Sequence, residues 1–382
     1  MKSVIFAGVS AAALLFAGSA LAAGNAATID QIGFTQTATI DQTGSPSDAV
    51  ATVHQSNAYN LANVTQGGGS GNLADVTQSQ GAFGAVRNPS NISNSNQQGA
   101  NGGVTVVQVG NNSSTVNQYG GSVGEHALVG QSNNGNVSDI GQSGQNELAV
   151  TNQQSGTGNS STIAQAGTGD GNFSPSAYPN HNHGPNNLVW HENVPNDSVL
   201  PGAGGSLTEY GVVGSIVDQV GSNNVGSINQ AGFQNFADVS QENDANTGGN
   251  TGTIVQAAGM FQSDAVMYQL GQFNVASISQ VGAGTSYSTV WQNGNSNQAY
   301  SSQTGSNHSA IEQGFTDDAG TTAAGPANNE YASVTQGGGG NLSTVQQLGS
   351  NDTATVTQGG ANATATINQG AGGSFNTATI HQ

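Results

Sequence analysis

The chain has no cysteine, so disulfide staples and thiolate metal sites are excluded. It has almost no positive charge: Lys and Arg together number 2 in 382 residues, against 21 Asp and Glu. Nucleic-acid binding through phosphates needs clustered Lys and Arg, so that function is excluded. Charged residues of either sign make up only 6% of the chain, where an ordinary soluble domain has about 25%. Aromatics are 5%, and no segment after the first 22 residues is apolar enough to span a membrane. Asn, Gln, Ser, Thr and 58 Gly fill the space that charge leaves. A polar-amide bias of this kind suits disorder or β-aggregation unless a strict period orders it.

Such a period is present. Between Ser215 and Gln241 one phrase occurs three times, as Ser215-Ile-Val217-Asp-Gln219, Gly226-Ser-Ile228-Asn-Gln230 and Ala237-Asp-Val239-Ser-Gln241. The phrase is a small residue, any residue, Val or Ile, a polar residue, then Gln, repeating every 11 residues. It begins at Ala27-Thr-Ile29-Asp-Gln31 and Ala38-Thr-Ile40-Asp-Gln42 and ends at Ala378-Thr-Ile380-His-Gln382. In between are copies ending at Gln269, Gln280, Gln292, Gln303, Gln347, Gln358 and Gln369, and a weaker one at Ser90-Asn-Ile92-Ser-Asn94. The total is about 26 units, and a fixed period of this kind marks a repeat architecture.

The alternation of the phrase has period 2, so it predicts a strand. The small residue, the Val or Ile and the Gln then share one face. Asp30, Asp41, Asp75, Asp218 and Asp238 fall on the other face, and the expectation is that they meet water. Each link carries Gly two residues after Gln, as at Gly221, Gly232, Gly271 and Gly294, and often Asn at the fifth place, as at Asn224, Asn235, Asn274 and Asn297. Gly takes positive φ readily and Asn tolerates it, and where Gly is missing Asn57 and Asn133 stand in.

Two assemblies fit such units: an antiparallel meander, or a solenoid with two strand–turn units per coil and two stacked parallel sheets. The all-β solenoid explains more, because it stacks Gln on Gln and Val217, Ile228 and Val239 in files. A buried unsatisfied amide costs about 1–3 kcal/mol, whereas stacked amides satisfy one another. About 13 coils at the usual strand spacing would make a rod on the order of 60 Å long.

Gln-x-Gly-x-x-Asn-x-Ala-x-Val/Ile-x-Gln resembles the curlin repeat of bacterial curli fibres. The fullest copies are Gln219–Gln230, Gln230–Gln241, Gln269–Gln280 and Gln292–Gln303; Gln31–Gln42 has Gln36 in the Asn place, and Gln347–Gln358 has Asp352. The resemblance implies a two-sheet β-solenoid that polymerises with copies of itself into extracellular amyloid. It also implies a nucleator subunit and an outer-membrane secretion channel as partners. The chain is longer than usual members, and only four residues separate Ala22 from the first repeat at Ala27, where the family usually carries a targeting segment.

The remaining features divide the chain. Residues 1–22 read as a signal peptide cleaved after Ala22: Lys2, an apolar run from Val4 to Phe16, then Ala20-Leu-Ala22. Cleavage removes Lys2 and takes the net charge from −19 to −20. Repeats fill 23–166 and 213–382, and a Pro- and His-containing insertion spans 167–212. His181, His183, His191 and Glu192 there are weak metal-ligand candidates, since no third ligand stands at fixed spacing, and no metal or cofactor is expected. Trp190 and Tyr178 would pack the insertion onto the rod. Gly167-Thr-Gly-Asp170-Gly matches a calcium repeat only once, and Gly337 to Gly340 lacks the Lys of a phosphate loop. Asp317-Asp318 is the one adjacent acidic pair, with no base beside it, so no catalytic site is expected. Sequence alone thus points to a structural fibre subunit that is not an enzyme. A monomeric adhesin that binds through 167–212 is the alternative, and a carbohydrate-cleaving β-helix ranks far behind.

Overall fold

A computed structural model describes residues 24–45, 47–79, 91–154, 156–168, 214–243, 248–314, 326–370 and 374–382. Every regular element among them is a strand, and every strand pairing is parallel. The chain is a β-solenoid of about 12 turns. One side of the coil is a file of strands that includes Ala26–Phe34, Val50–Ala58, Gly214–Val220, Phe236–Glu242, Asp264–Gln272 and Tyr287–Asn295. The other includes Thr37–Asp41, Leu61–Gln66, Val225–Phe233, Thr251–Gln256 and Val275–Val281. Each strand therefore pairs with the strand one full coil away, not with its chain neighbour, and this excludes the meander. The strands Gly103–Gln118 and His126–Gln142 run on around a corner and join both sides into one hydrogen-bonded sheet.

The sequence dictates this stacking through register. A slip of one residue would turn every inward side chain outward. Here Ala237 lies on Ala265, Val239 on Met267 and Gln241 on Gln269. The files of Ala and of Val, Ile or Met from the two sides meet in one narrow core that runs the length of the coil, with Val217, Ile228 and Val239 fully buried in it.

The corners are closed by left-handed backbone, as expected at Gly221, Gly232, Gly271 and Gly294 and at the substitutes Asn57 (φ 73°) and Asn133 (φ 71°). Gly271 shows why no side chain fits: its φ is 106°, and a Cβ there would strike the Gly294 carbonyl of the next coil. The second left-handed residue is not the expected Asn. It is the residue before it: Asn223, Gln234, Phe273 and Ser296. Asn224, Asn235, Asn274 and Asn297 are instead buried, and their side chains serve a different purpose, given below.

Two other expectations need correction. The weak copy does not end on Asn94. The strand is Ile92–Gln97, with Ser93 and Ser95 buried in the Ala and Val places and Gln97 in register with Gln66. Asp218 and Asp238 do point away from the core, yet they are only 3% and 2% exposed. The reason is the company they keep on that outer face: Asp238 lies in register between Ile216 and Val266, and the row of Asp218 continues through Ser240 to Tyr268 and Trp291. Asp30, Asp41 and Asp75 are exposed as expected. The stack runs on from one side of the insertion to the other. Leu148–Gln154 pairs directly with Gly214–Val220, and Ser160–Thr168 with Val225–Phe233.

Candidate functional site

What the coil repeats is an amide, and its chemistry starts from a buried glutamine. A Gln side chain has two N–H donors and a carbonyl acceptor, and burial makes each unpaired one costly. Gln241 satisfies all of them. Its Oε1 accepts from Gln219 Nε2 at 2.9 Å, and its Nε2 donates to Gln269 Oε1 at 2.8 Å and to the Val225 carbonyl at 3.1 Å. The last bond crosses to the opposite side of the coil.

The same pattern runs through the molecule as two ladders. On one side Gln31 donates to Gln55 at 2.6 Å, and the file later passes Gln153, Gln219, Gln241, Gln269, Gln292, Gln313 and Gln347 to reach Gln369. On the other, Gln42 donates to Gln66 at 2.9 Å, and the file passes Gln165, Gln230, Gln256, Gln280, Gln303, Gln336 and Gln358 to reach Gln382. The ladders cross both breaks in the repeat: Gln153 meets Gln219 at 2.8 Å across 66 residues of chain, and Gln313 meets Gln347 at 2.8 Å across 34. Every rung points its amide N–H groups the same way, so each ladder is polar.

A second pair of ladders lines the corners. Asn224 Oδ1 accepts the backbone N–H of Asn250, whose Oδ1 accepts that of Asn274, whose Oδ1 accepts that of Asn297. Asn274 Nδ2 donates to the Leu270 carbonyl of its own corner and to the Gly294 carbonyl of the next coil. Asn235 works alike in the opposite corner, donating to the Ala231 carbonyl and accepting from the Ser263 N–H. The Asn thus satisfies corner backbone that no strand partner can reach.

The expected Gln and Asn residues therefore fall in four files, with Val217, Ile228 and Val239 in the apolar core between them and Gly221, Gly232, Gly271 and Gly294 at the corners. Sequence reasoning missed the cross-coil bond from each Gln to a carbonyl. It placed Asp352 in the Asn position but missed that Glu125, Glu147 and Glu330 stand there too, each six residues before a ladder Gln. Burial raises Glu147 to about 8, with the Glu125 charge adding to it, and raises Glu330 to about 7, with Asp352 adding to it. Among the described residues no group of three or more His, Cys, Asp or Glu could hold a metal ion, and no helix is long and apolar enough to cross a membrane. The candidates His181, His183, His191 and Glu192, Trp190, Tyr178 and Asp317-Asp318 lie outside the described residues.

A coil whose interior is given over to unbroken amide files defines a structural β-solenoid. The model of the curlin associated repeat matches residues 327–360, which supports assigning the chain to the curlin-repeat family. No curated protein matches the chain. Both the fold and the repeat are structural, not enzymatic.

Proposed function

We propose that the protein is a secreted structural subunit that assembles with copies of itself into extracellular, curli-like amyloid fibres of a biofilm matrix. The observation that carries this is the polarity of the Gln ladders at the terminal described coils. Among the described residues, Ala26–Phe34 and Thr37–Asp41 each pair on one edge only, as do Thr364–Gln369 and Thr377–His381 at the other end. Strand edges of this kind recruit further strands. At the first end Gln42 Oε1 is buried with no donor. At the other, Gln369 and Gln382 donate to carbonyls of Thr353 and Thr364, and each keeps a second N–H that the ladder rule assigns to a further rung. Acceptors at one end and donors at the other suit head-to-tail addition, which gives open filaments. Ile29, Ile40 and Ile380 are only partly buried there, so addition would also cover apolar surface.

The residue pattern of 1–22 adds a cleaved signal peptide, and the family resemblance adds export across the outer membrane by a dedicated channel and a nucleating partner. Adhesion and cell aggregation follow from a fibre at the cell surface. The competing function is a monomeric adhesin. To separate them, residues 23–382 are diluted from denaturant into buffer while thioflavin fluorescence and fibre diffraction are followed. Polymer with cross-β spacings of about 4.7–4.8 and about 10 Å is expected. A stable, soluble monomer would overturn the fibre function.

A further inference from the structure

In most coils the corner rung is an Asn that accepts through Oδ1 and donates through Nδ2. Four coils carry an acid there instead, as two pairs on adjacent coils: Glu125 with Glu147 in one corner, Glu330 with Asp352 in the other. All four are at most 5% exposed. One oxygen of Glu330 and one of Asp352 do what the Asn Oδ1 does, accepting the N–H of the next rung, while one oxygen of Glu125 and one of Glu147 accept a different corner N–H. Glu330 Oε2 accepts the Asp352 N–H at 3.0 Å, and Asp352 Oδ1 accepts the Asn376 N–H at 2.8 Å. Glu125 Oε1 accepts the Gly144 N–H and Glu147 Oε1 the Gly167 N–H. The second oxygen of each is where the carboxylate fails. Among the described residues Glu125 Oε2, Glu147 Oε2, Glu330 Oε1 and Asp352 Oδ2 are buried with no hydrogen-bond partner. An ionised carboxylate only accepts, whereas a protonated one donates as the amide does.

Among the described residues nothing around the pairs offers a positive charge. Glu330 faces Asp352, and the rungs on either side are Asn297 and Asn376. Glu147 faces Glu125, with Ser143 and Gly167 beside it and Gln230 and Asn235 lining a small cavity next to it. Glu125 has Ser122 beside it, and His126, next in the chain, is held below its usual range by burial. Lys2 and Arg87, the only Lys and Arg of the chain, lie outside the described residues.

We propose that Glu125, Glu147 and Glu330 are built into the coil as neutral acids at places that Asn amides hold elsewhere, so that the solenoid takes up protons as it forms and mild acid stabilises it. The direction of the shifts agrees. Burial is the first cause of the raised values of Glu125, Glu147 and Glu330. In the unfolded chain a Glu titrates near 4.3, so between there and the folded value the folded state binds more protons. The stabilisation is complete below that pH. It is lost as pH rises through about 7 for Glu330 and about 8 for Glu147. The property belongs to the coil itself, so its failure and that of fibre assembly are separable.

The test compares the wild type with the threefold variant Glu125→Gln, Glu147→Gln and Glu330→Gln, in which these acid rungs become amides. From pH 5 to pH 8 the wild-type folding equilibrium should weaken at least about tenfold more than that of the variant, since each unit of raised pKa is worth a factor of about ten. Infrared spectra at pH 6 should show protonated-carboxyl absorption in the folded wild type that is reduced in the variant. Equal pH dependence in the two proteins would overturn the proposal. Should the variant not fold, absence of protonated-carboxyl absorption from the folded wild type at pH 6 would overturn it as well.

Discussion

The inside of the coil and its outer face obey different rules. Inward, each position is held to one chemistry: small, β-branched or otherwise apolar, then Gln. Outward, the row of Asp30 passes through His54 and Thr77 to Val107, four different side chains at equivalent places. The difference lies in what each position must satisfy. An inward Gln has bonds on three sides, two to rungs and one to a carbonyl across the coil, and no other residue has the length and the amide to make them. An outward residue in water has no such obligation, because solvent satisfies it. The contrast fails locally where the outer face is itself buried, and there Asp238 behaves like a core residue.

The largest effect should come from breaking a rung. Gln241→Leu strands Gln219 Nε2, Gln269 Oε1 and the Val225 carbonyl, each at a cost of about 1–3 kcal/mol, so a loss of roughly 3 kcal/mol or more is expected. Urea unfolding of the folded coil measures it, and fibre growth should slow in parallel. Next comes the apolar file: Ile228→Ala in the same assay should cost about 2–5 kcal/mol, because the fully buried side chain leaves a cavity between stacked neighbours.

Asp238→Asn sharpens the comparison. Burial, then the Asp218 charge, holds Asp238 well above its ordinary range. Stability tied to this group is therefore present in acid and lost as pH rises above the ordinary Asp range. The amide should stabilise the coil at pH 8 and change little at pH 4, as unfolding midpoints at the two values would show. Smallest of all, Asp75→Asn on the exposed face should shift stability by no more than about 0.5 kcal/mol. This makes Asp75, not Asp218 or Asp238, the fair control for a change in the Gln ladder.

Much of this was legible in the sequence. Period 2 within the phrase and period 11 between phrases dictate strands, their inward faces and the stacking of Gln on Gln. What stayed hidden depends on distances between coils. The bond from Gln241 to the Val225 carbonyl joins opposite sides and has no trace in a strand pattern. The rung at Gln97 was masked because Ser93 and Ser95 replace the Ala and Val that mark the phrase. Burial of Asp238 follows from Ile216 and Val266 in neighbouring coils, which lie 22 and 28 residues away. The acid rungs did leave a signal. Glu125, Glu147, Glu330 and Asp352 each precede a ladder Gln by six residues, as Asn224 precedes Gln230. Aligning the repeats on Gln exposes them as substitutes for Asn.

The account rests on each Gln rung bonding to the rung one coil away in the same chain. Solid-state magnetic resonance of assembled protein, labelled on Gln side chains and diluted into an excess of unlabelled chains, measures this directly. Contacts between Gln side-chain amides should survive dilution almost undiminished, because nearly all partners are intramolecular. Contacts that fade in proportion to dilution would mean that the rungs come from different chains, and would contradict the solenoid.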